Sequence, residues 1–193
     1  MTAGTRRRGS ALEAAIFEAV FDQIREVGYA RLTMEGVAVA AQTGKAALYR
    51  RWNGKDELVR DALLHALPDP AAVPVRGTVR EDLLELLRCL RATVEATQGA
   101  TFQVLKAEAP EDGKSLLSSV VRGRVTDPLK DLIEAALRRG AERGEVRPAA
   151  VTRLVALVGP AMVTSYCLTE STDVPDAYLE QIVDEVLMPL VSP

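Results

Sequence analysis

Residues 33–52 hold the side chains of this chain that could do chemistry on a polyanion. Lys45, Tyr49 and Arg50 stand beside two small residues, Ala46 and Ala47. Small side chains let a helix backbone approach the base edges of DNA, while cations and a phenol hydroxyl reach phosphates. The combination favours recognition of double-stranded DNA.

Two short helices are expected to position these groups. Thr33 is a suitable N-cap for the first, and Gln42-Thr43-Gly44 interrupts the pattern, with Gly44 free to adopt backbone angles that other residues avoid. The second runs from Lys45 to Trp52, with Leu48 and Trp52 four residues apart on its inner face. Two short helices joined by a tight turn are typical of a helix-turn-helix.

Helices on both sides should support this pair. Ser10 and Glu13 have the spacing of a capping box, which predicts the start of the first helix. The fourth helix is expected from Lys55 to about Leu67. Lys55 would lie at its N-terminus, where backbone N–H groups already favour a phosphate.

The N-terminal third of the chain resembles the DNA-binding domain of TetR-family transcriptional regulators. The resemblance rests on Gly28-Tyr29, Thr33, Val37-Ala38, Lys45, Leu48-Tyr49 and the run from Trp52 to Leu58. The turn departs from the usual Ala-Gly-Val-Ser-Lys and reads Ala-Gln-Thr-Gly-Lys at residues 41–45. The resemblance implies a two-fold dimer formed through the last two long helices, a palindromic operator, a small-molecule effector and, usually, repression.

A set of DNA-contacting residues follows from this interpretation. Ala46 and Ala47 would meet base edges, and Lys45 or Arg50 could read guanine. The backbone contacts are expected from Thr33, Lys45, Tyr49, Arg50, Arg51 and Lys55. The basic arm Arg6–Arg8 could follow a minor groove or be only a solubilising tail.

The distribution of charge agrees with a DNA-facing N-terminus. Residues 1–55 contain nine Lys or Arg and five Asp or Glu, whereas the remaining residues contain 15 and 22. A basic end on an acidic body orients a molecule in the field of a polyanion.

Composition indicates an all-α protein of about nine helices. Hydrophobic residues make up 48% and aromatic residues 4% of the 193 residues, with many helix-forming Ala, Leu, Glu and Arg. No 18-residue apolar run and no secretory signal is evident, which predicts a cytoplasmic protein without a membrane span. Pro68, Pro70, Pro74 and Gly77 mark a boundary, so the predicted domains are 1–67 and 68–193.

The last two helices carry the predicted dimer interface. The penultimate helix is expected from Arg147-Pro148 to about Leu168, and its uncharged stretch 154–163 must be buried on more than one side. Gly159-Pro160 suggests a kink and a close backbone approach. The final helix, from about Pro175, has a broad apolar stripe. Both helices could alternatively close the core of a single subunit.

The C-terminal domain is interpreted as a sensor for a largely apolar or aromatic effector. Small-molecule sites between helices are apolar cavities with few polar groups. Ordinary core packing is the competing explanation for each candidate residue. The candidates are Thr93, Phe102, Leu105, Ile133, Leu137, Met162, Tyr166 and Cys167.

No catalytic arrangement is evident. One histidine, His65, and two distant cysteines, Cys89 and Cys167, cannot supply the ligands of a typical metal site, so neither metal nor cofactor is expected. We therefore predict a regulator and not an enzyme. The alternative is a small-molecule binding or scaffold protein of the same fold without operator binding.

Overall fold

The computed structural model describes residues 9–101 and 116–193, and the regular structure within those ranges is entirely helical. The predicted all-α class is confirmed. No helix in these ranges is both long enough and apolar enough to cross a membrane. The α-helices are α1 (Ser10–Val27), α2 (Met34–Ala40), α3 (Lys45–Tyr49), α4 (Lys55–Ala66), α5 (Val79–Ala96), α6 (Leu116–Val121), α7 (Asp127–Glu142), α8 (Arg153–Thr169), α9 (Asp176–Gln181) and α10 (Met188–Val191).

Two π-helical segments join neighbouring α-helices without a break. Arg122–Thr126 connects α6 to α7, and Ile182–Leu187 connects α9 to α10. The predicted final helix is therefore continuous from Asp176 to Val191, with wider turns in its middle.

The chain divides into two compact units. One comprises Met1–His65 with Ala100–Val120, and the other comprises Ala66–Gly99 with Val121–Pro193. Because the first unit also takes in Ala100–Val120, the simpler division at residues 67 and 68 stays a prediction.

The first unit is built on α1. Ile16, Val20 and Ile24 recur every four residues on one face of α1 and are completely buried. Helix α2 packs on this face. Leu48 and Leu58 add the inner sides of α3 and α4 to the same core, which fixes where the outer side of α3 must lie.

The second unit has α5 against α7 and α8 at its centre. A close approach occurs at Gly159 in α8, as the sequence predicted. A Cβ atom there would lie 3.0 Å from Leu87 Cδ2 and 3.1 Å from Leu187 Cδ1. The missing side chain thus lets α5 and the final helix pack directly on the α8 backbone.

Helix α1 begins at Ser10, as predicted, but one helix cap and one helix start differ from the predictions. The capping box does not form, because the N-cap of α1 is Gly9 and no side chain caps the helix. The penultimate helix begins at Arg153, since Pro148–Ala150 forms a separate 3-10 turn. Thr152 is the N-cap of α8, and its hydroxyl accepts from the backbone N–H of Val155 at 3.2 Å.

Candidate nucleic-acid interface

The turn between α2 and α3 closes as a Schellman motif. The N–H of Thr43 donates to the carbonyl of Ala38 at 2.9 Å, and the N–H of Gln42 donates to that of Val39 at 3.0 Å. Gln42 has a φ of 54°, whereas Gly44 has a φ of −81°. The unusual backbone angle therefore falls on Gln42, and the expectation that Gly44 supplies it is wrong.

One side of α3 is anchored in the core of the first unit. Leu48 is completely buried and Trp52 is 4% exposed. The indole N–H of Trp52 donates to Asp61 Oδ2 at 3.0 Å, and its ring lies 5.8 Å from that of Phe17. This anchoring leaves Lys45, Ala46, Tyr49 and Arg50 exposed on the opposite side.

Thr33 is the N-cap of α2, as predicted. Its hydroxyl oxygen accepts from the N–H of Gly36 at 3.0 Å, and the residue is exposed. The hydroxyl therefore holds the first turn of α2 in place beside the exposed side of α3.

A carboxylate from α2 contacts two of the predicted phosphate-binding groups. Glu35 Oε1 lies 3.3 Å from Lys45 Nζ and accepts from the Tyr49 hydroxyl at 3.4 Å. The pKa of Glu35 is lowered, first by its own backbone N–H and then by Lys45. Glu35 was not among the predicted site residues, and we name Glu35, Lys45 and Tyr49 the Glu35 cluster.

Arg51 is paired inside the unit. Its Nη1 lies 2.7 Å from Glu13 Oε2, and its guanidinium lies 5.9 Å from the centre of the Trp52 ring. The Glu13 carboxylate that would have closed the capping box therefore binds the residue beyond α3 instead.

Lys55 also has partners within its own unit. Its ammonium donates to the carbonyls of Tyr29 and Ala30, each at 3.2 Å, and lies 4.7 Å from the centre of the Tyr29 ring. The Tyr29 hydroxyl donates to Asp56 Oδ1 at 2.7 Å. Lys55 thus connects the start of α4 to the 3-10 turn Tyr29–Arg31 that follows α1, and the residue remains half-exposed.

Arg50 differs from the other cations of this segment. Within residues 9–101 and 116–193, its guanidinium has no hydrogen-bond or ion-pair partner, and the residue is exposed. Ala46 beside it is exposed and Ala47 is half-buried. A free guanidinium next to small side chains is suited to enter a groove and reach a base edge or a phosphate.

The predicted effector residues fall into separate environments. Ile133 and Leu137 line a void of about 10 Å³, bordered by Leu83, Leu87 and Gly159 among others. That volume is at the lower limit for a single water molecule. In this conformation the void is ordinary core packing.

The other described effector candidates lie in α5 and α8. The Thr93 hydroxyl donates to the carbonyl of Cys89 at 3.1 Å, and the Tyr166 ring lies 4.5 Å from that of Tyr178. Burial raises the pKa of the Cys167 thiol, and Met162 is half-buried. Phe102 and Leu105 lie outside the described residues.

Helix α8 presents apolar side chains to the outside of the chain. Leu154 is 75% exposed and Leu168 is 44% exposed, with Ala161 between them also exposed. By contrast, the stripe of the final helix packs into the core of its own chain, where Leu179, Ile182 and Val183 are buried. In the single chain, the apolar stripe of the final helix therefore closes the core of its own subunit, which is the alternative to a dimer interface.

Within the described residues, no group of His, Cys, Asp or Glu side chains could hold a metal ion. The exposed residues of α3 and its C-terminal end are Lys45, Ala46, Tyr49 and Arg50, and the Glu35 carboxylate of α2 lies beside them. A short cationic helix held on a rigid core defines a DNA-binding protein of the helix-turn-helix class.

Comparison with known proteins identifies the family. Residues 16–62 match the model described as bacterial regulatory proteins, tetR family, and residues 73–186 match the tetracyclin repressor-like C-terminal domain. The chain belongs to the TetR family of DNA-binding transcriptional regulators. The predicted family is therefore confirmed, and so is the prediction of a regulator and not an enzyme.

Individual relatives agree over nearly the whole chain. A DNA-binding transcriptional repressor TetR from Mycobacteroides abscessus is 31% identical and is matched over 96% of this chain and 97% of its own. A TetR transcription regulator from Haloarcula marismortui superposes with a TM-score of 0.74 at 18% identity, over 95% of this chain and 100% of that one. A protein from Saccharomonospora viridis, described as a transcriptional regulator in complex with choline, superposes with a TM-score of 0.75 at 16% sequence identity. The superposition covers 96% of this chain and 100% of that one.

Proposed function

We propose that this chain is a ligand-responsive repressor that binds a palindromic operator as a two-fold dimer in the cytoplasm. The observation that carries the proposal is the exposed side of α3, where Arg50 has no partner among the described residues and stands next to Ala46. Inserting this side into the major groove of each half-site requires recognition helices about 34–36 Å apart.

Arg50 is the residue we assign to base readout, in preference to Lys45. Its guanidinium is free to make the bidentate contact with guanine O6 and N7, whereas the Lys45 ammonium is already held by Glu35. Ala46 and Ala47 allow the close approach. Thr33, Lys45, Tyr49, Arg51 and Lys55 are assigned to the phosphate backbone, with the last two at the edge because their charges are shared with internal partners.

The dimer is proposed to form through α8 and the final helix. Leu154, Ala161 and Leu168 lie seven residues apart on one side of α8 and are exposed in the single chain. Packing this side on its symmetry mate would remove it from water, which is the main favourable contribution to such an interface. The outward side of the final helix, which includes Gln181 and Glu185, would form the polar rim.

Release from DNA is assigned to a small, largely apolar effector bound in the C-terminal domain. The 10 Å³ void beside Ile133 and Leu137 cannot hold such a molecule, so binding at this place requires a second conformation in which these helices separate. A coupling of roughly 1–3 kcal/mol would change operator affinity about 5–150-fold. The choline complex of a protein with the same fold supports effector binding by this architecture.

Selection of operators from random duplex DNA tests the proposal. We expect the purified protein to enrich a palindrome, and Arg50→Ala to lose affinity at one base position while keeping the same dimer. Enrichment of no sequence, with retention of a bound small molecule, would instead support the binding or scaffold alternative. Repeating the selected binding assay against a metabolite panel then identifies the effector.

A further inference from the structure

The Glu35 cluster places a negative charge among the groups that are meant to meet phosphates. Lys45 and Tyr49 are four residues apart on α3, so their polar ends reach the same side of the helix. A single carboxylate oxygen of Glu35 lies within 3.4 Å of both. The arrangement faces solvent, since the Glu35 and Lys45 side chains are 46% and 62% exposed.

We propose that Glu35 is an intramolecular competitor for the DNA backbone, which occupies Lys45 and Tyr49 until a phosphate displaces it. This inference rests on the proposed function, because it assumes that α3 binds DNA. It adds a residue that limits how tightly the protein holds any duplex, without contacting the bases itself.

Counterion exchange makes the idea quantitative. When a free lysine neutralises a phosphate, the DNA releases a bound cation, and log K falls with log salt by roughly 0.9 per contact. When Lys45 must first leave Glu35, the uncovered carboxylate attracts a cation and cancels that release. Because of the Glu35–Lys45 pair, the slope of log K against log salt is therefore shallower, by one phosphate contact per subunit.

The pair is easily exchanged because both partners face water. Exposed ion pairs of this kind change an equilibrium constant by only about 1.4- to 5-fold. A phosphate can therefore displace Glu35, at the cost of a moderate loss of affinity for every sequence. The pKa of Glu35 is lowered, so the carboxylate stays ionised and the competition persists at neutral pH.

Glu35→Gln is the decisive variant, because the amide oxygen can still accept from Lys45 and Tyr49 while the charge is removed. Fluorescence anisotropy measures binding of the full-length protein to a selected operator and to an unrelated duplex. The KCl concentration is varied from roughly 50 to 300 mM, where log K is expected to fall linearly with log salt. We expect tighter binding of both duplexes, by about 1.4- to 5-fold per subunit, and a slope steeper by roughly 0.9 per subunit.

Two controls separate competition from a simple change of net charge. Glu18→Gln removes the same charge from the exposed side of α1 and should leave the slope unchanged. In a Lys45→Met background, Glu35→Gln should no longer steepen the slope, because no lysine is left to release. Circular dichroism melts confirm that each variant is folded, and Glu35→Ala serves as a second neutral variant.

The outcomes distinguish this inference from the proposed function. If the unmodified protein selects and binds an operator but Glu35→Gln and Glu35→Ala leave its slope unchanged, the competitor role is wrong and the function stands. The same holds if Glu35→Gln steepens the slope equally with and without Lys45. If the unmodified protein binds no duplex, the proposed function itself fails.

Discussion

Arg51 and Glu13 form an ion pair of 2.7 Å that ties the end of the recognition segment to the first turn of α1. The neighbouring Arg50 has no such partner among the described residues. Two adjacent arginines therefore differ in purpose: one holds the segment in place, and the other remains available for a ligand.

This difference predicts unequal effects of two matched substitutions. Arg50→Ala should weaken operator binding by about 1–3 kcal/mol and relax selectivity at one base position, because a bidentate base contact is lost. Arg51→Ala should change selectivity little. Competition binding against single-base operator variants checks both, and equal losses of selectivity would contradict the assignment.

Gln42→Gly should stabilise the protein. A non-glycine residue in the left-handed region costs about 1–2 kcal/mol, and glycine loses about 0.5–1 kcal/mol in additional chain entropy. With Gln42 at a φ of 54°, the expected gain is about 0.5–1 kcal/mol, measured as the free energy of unfolding in urea. Gln42→Ala is the control, and a similar gain there would exclude a backbone origin.

Trp52→Phe should destabilise the protein by about 2 kcal/mol. The substitution removes the hydrogen bond to Asp61 and leaves unfilled volume beside Phe17. Asp61 keeps its contacts of 2.9 and 3.0 Å with Arg60, so no carboxylate is left without a partner. Urea denaturation measures the loss, and a value below 0.5 kcal/mol, roughly the range of neutral surface substitutions, would mean that the indole does not anchor α3.

Leu154→Asp should prevent dimer formation without unfolding the subunit. At 75% exposure the side chain contributes little to its own core, but an acid in the proposed α8 interface would have to be buried next to its symmetry mate. Light scattering after size-exclusion chromatography reports the mass. Val75→Asp, at a residue 63% exposed outside α8, is the matched control and should remain dimeric.

Acidification should reveal the ion pairs between α5 and the final helix. The guanidinium of Arg88, which donates to Asp176, lowers the pKa of that carboxyl below its ordinary value of 3.8, and Arg80 does the same for Asp184. A lowered folded-state pKa gives stability that is present above the ordinary pKa and is lost as the pH falls through the folded value. The melting temperature should therefore decrease as the pH is lowered below about 4.

Asp176→Asn checks the origin of this acid dependence. The variant lacks the titrating carboxyl that Arg88 and Arg91 contact at 2.9 Å. Its melting temperature should therefore be lower at neutral pH and should decrease less as the pH is lowered. If the melting temperatures of both proteins decreased equally between about pH 2 and pH 4, other groups would determine the acid dependence.

The spacing of apolar residues predicted most of the helices, because a helix that buries one face has apolar residues every three or four positions along the sequence. Ile16, Val20 and Ile24, which are fully buried on one face of α1, illustrate this. Partners distant in sequence were not predictable. Glu13 fits a local capping rule, yet its carboxylate binds Arg51, 38 residues away.

The candidate site was predicted in outline for the same reason. The residue types on α3 indicate a polyanion, but Glu35 lies on another helix and its contact with Lys45 depends on the geometry of the turn. In that turn a glycine in the sequence indicated Gly44 as the flexible residue. The hydrogen bonds from Gln42 and Thr43 place the left-handed angle two positions after the end of α2 instead.

The separation of anchoring and exposed sides on α3 has a consequence for how such proteins diversify. Leu48 and Trp52 maintain the fold, while Ala46 and Arg50 are exposed. If this exposed pair reads bases as proposed, mutations there would alter which operator is recognised with little effect on stability. After gene duplication, a copy of this regulator could therefore acquire new target promoters through one or two substitutions, without passing through an unfolded intermediate form.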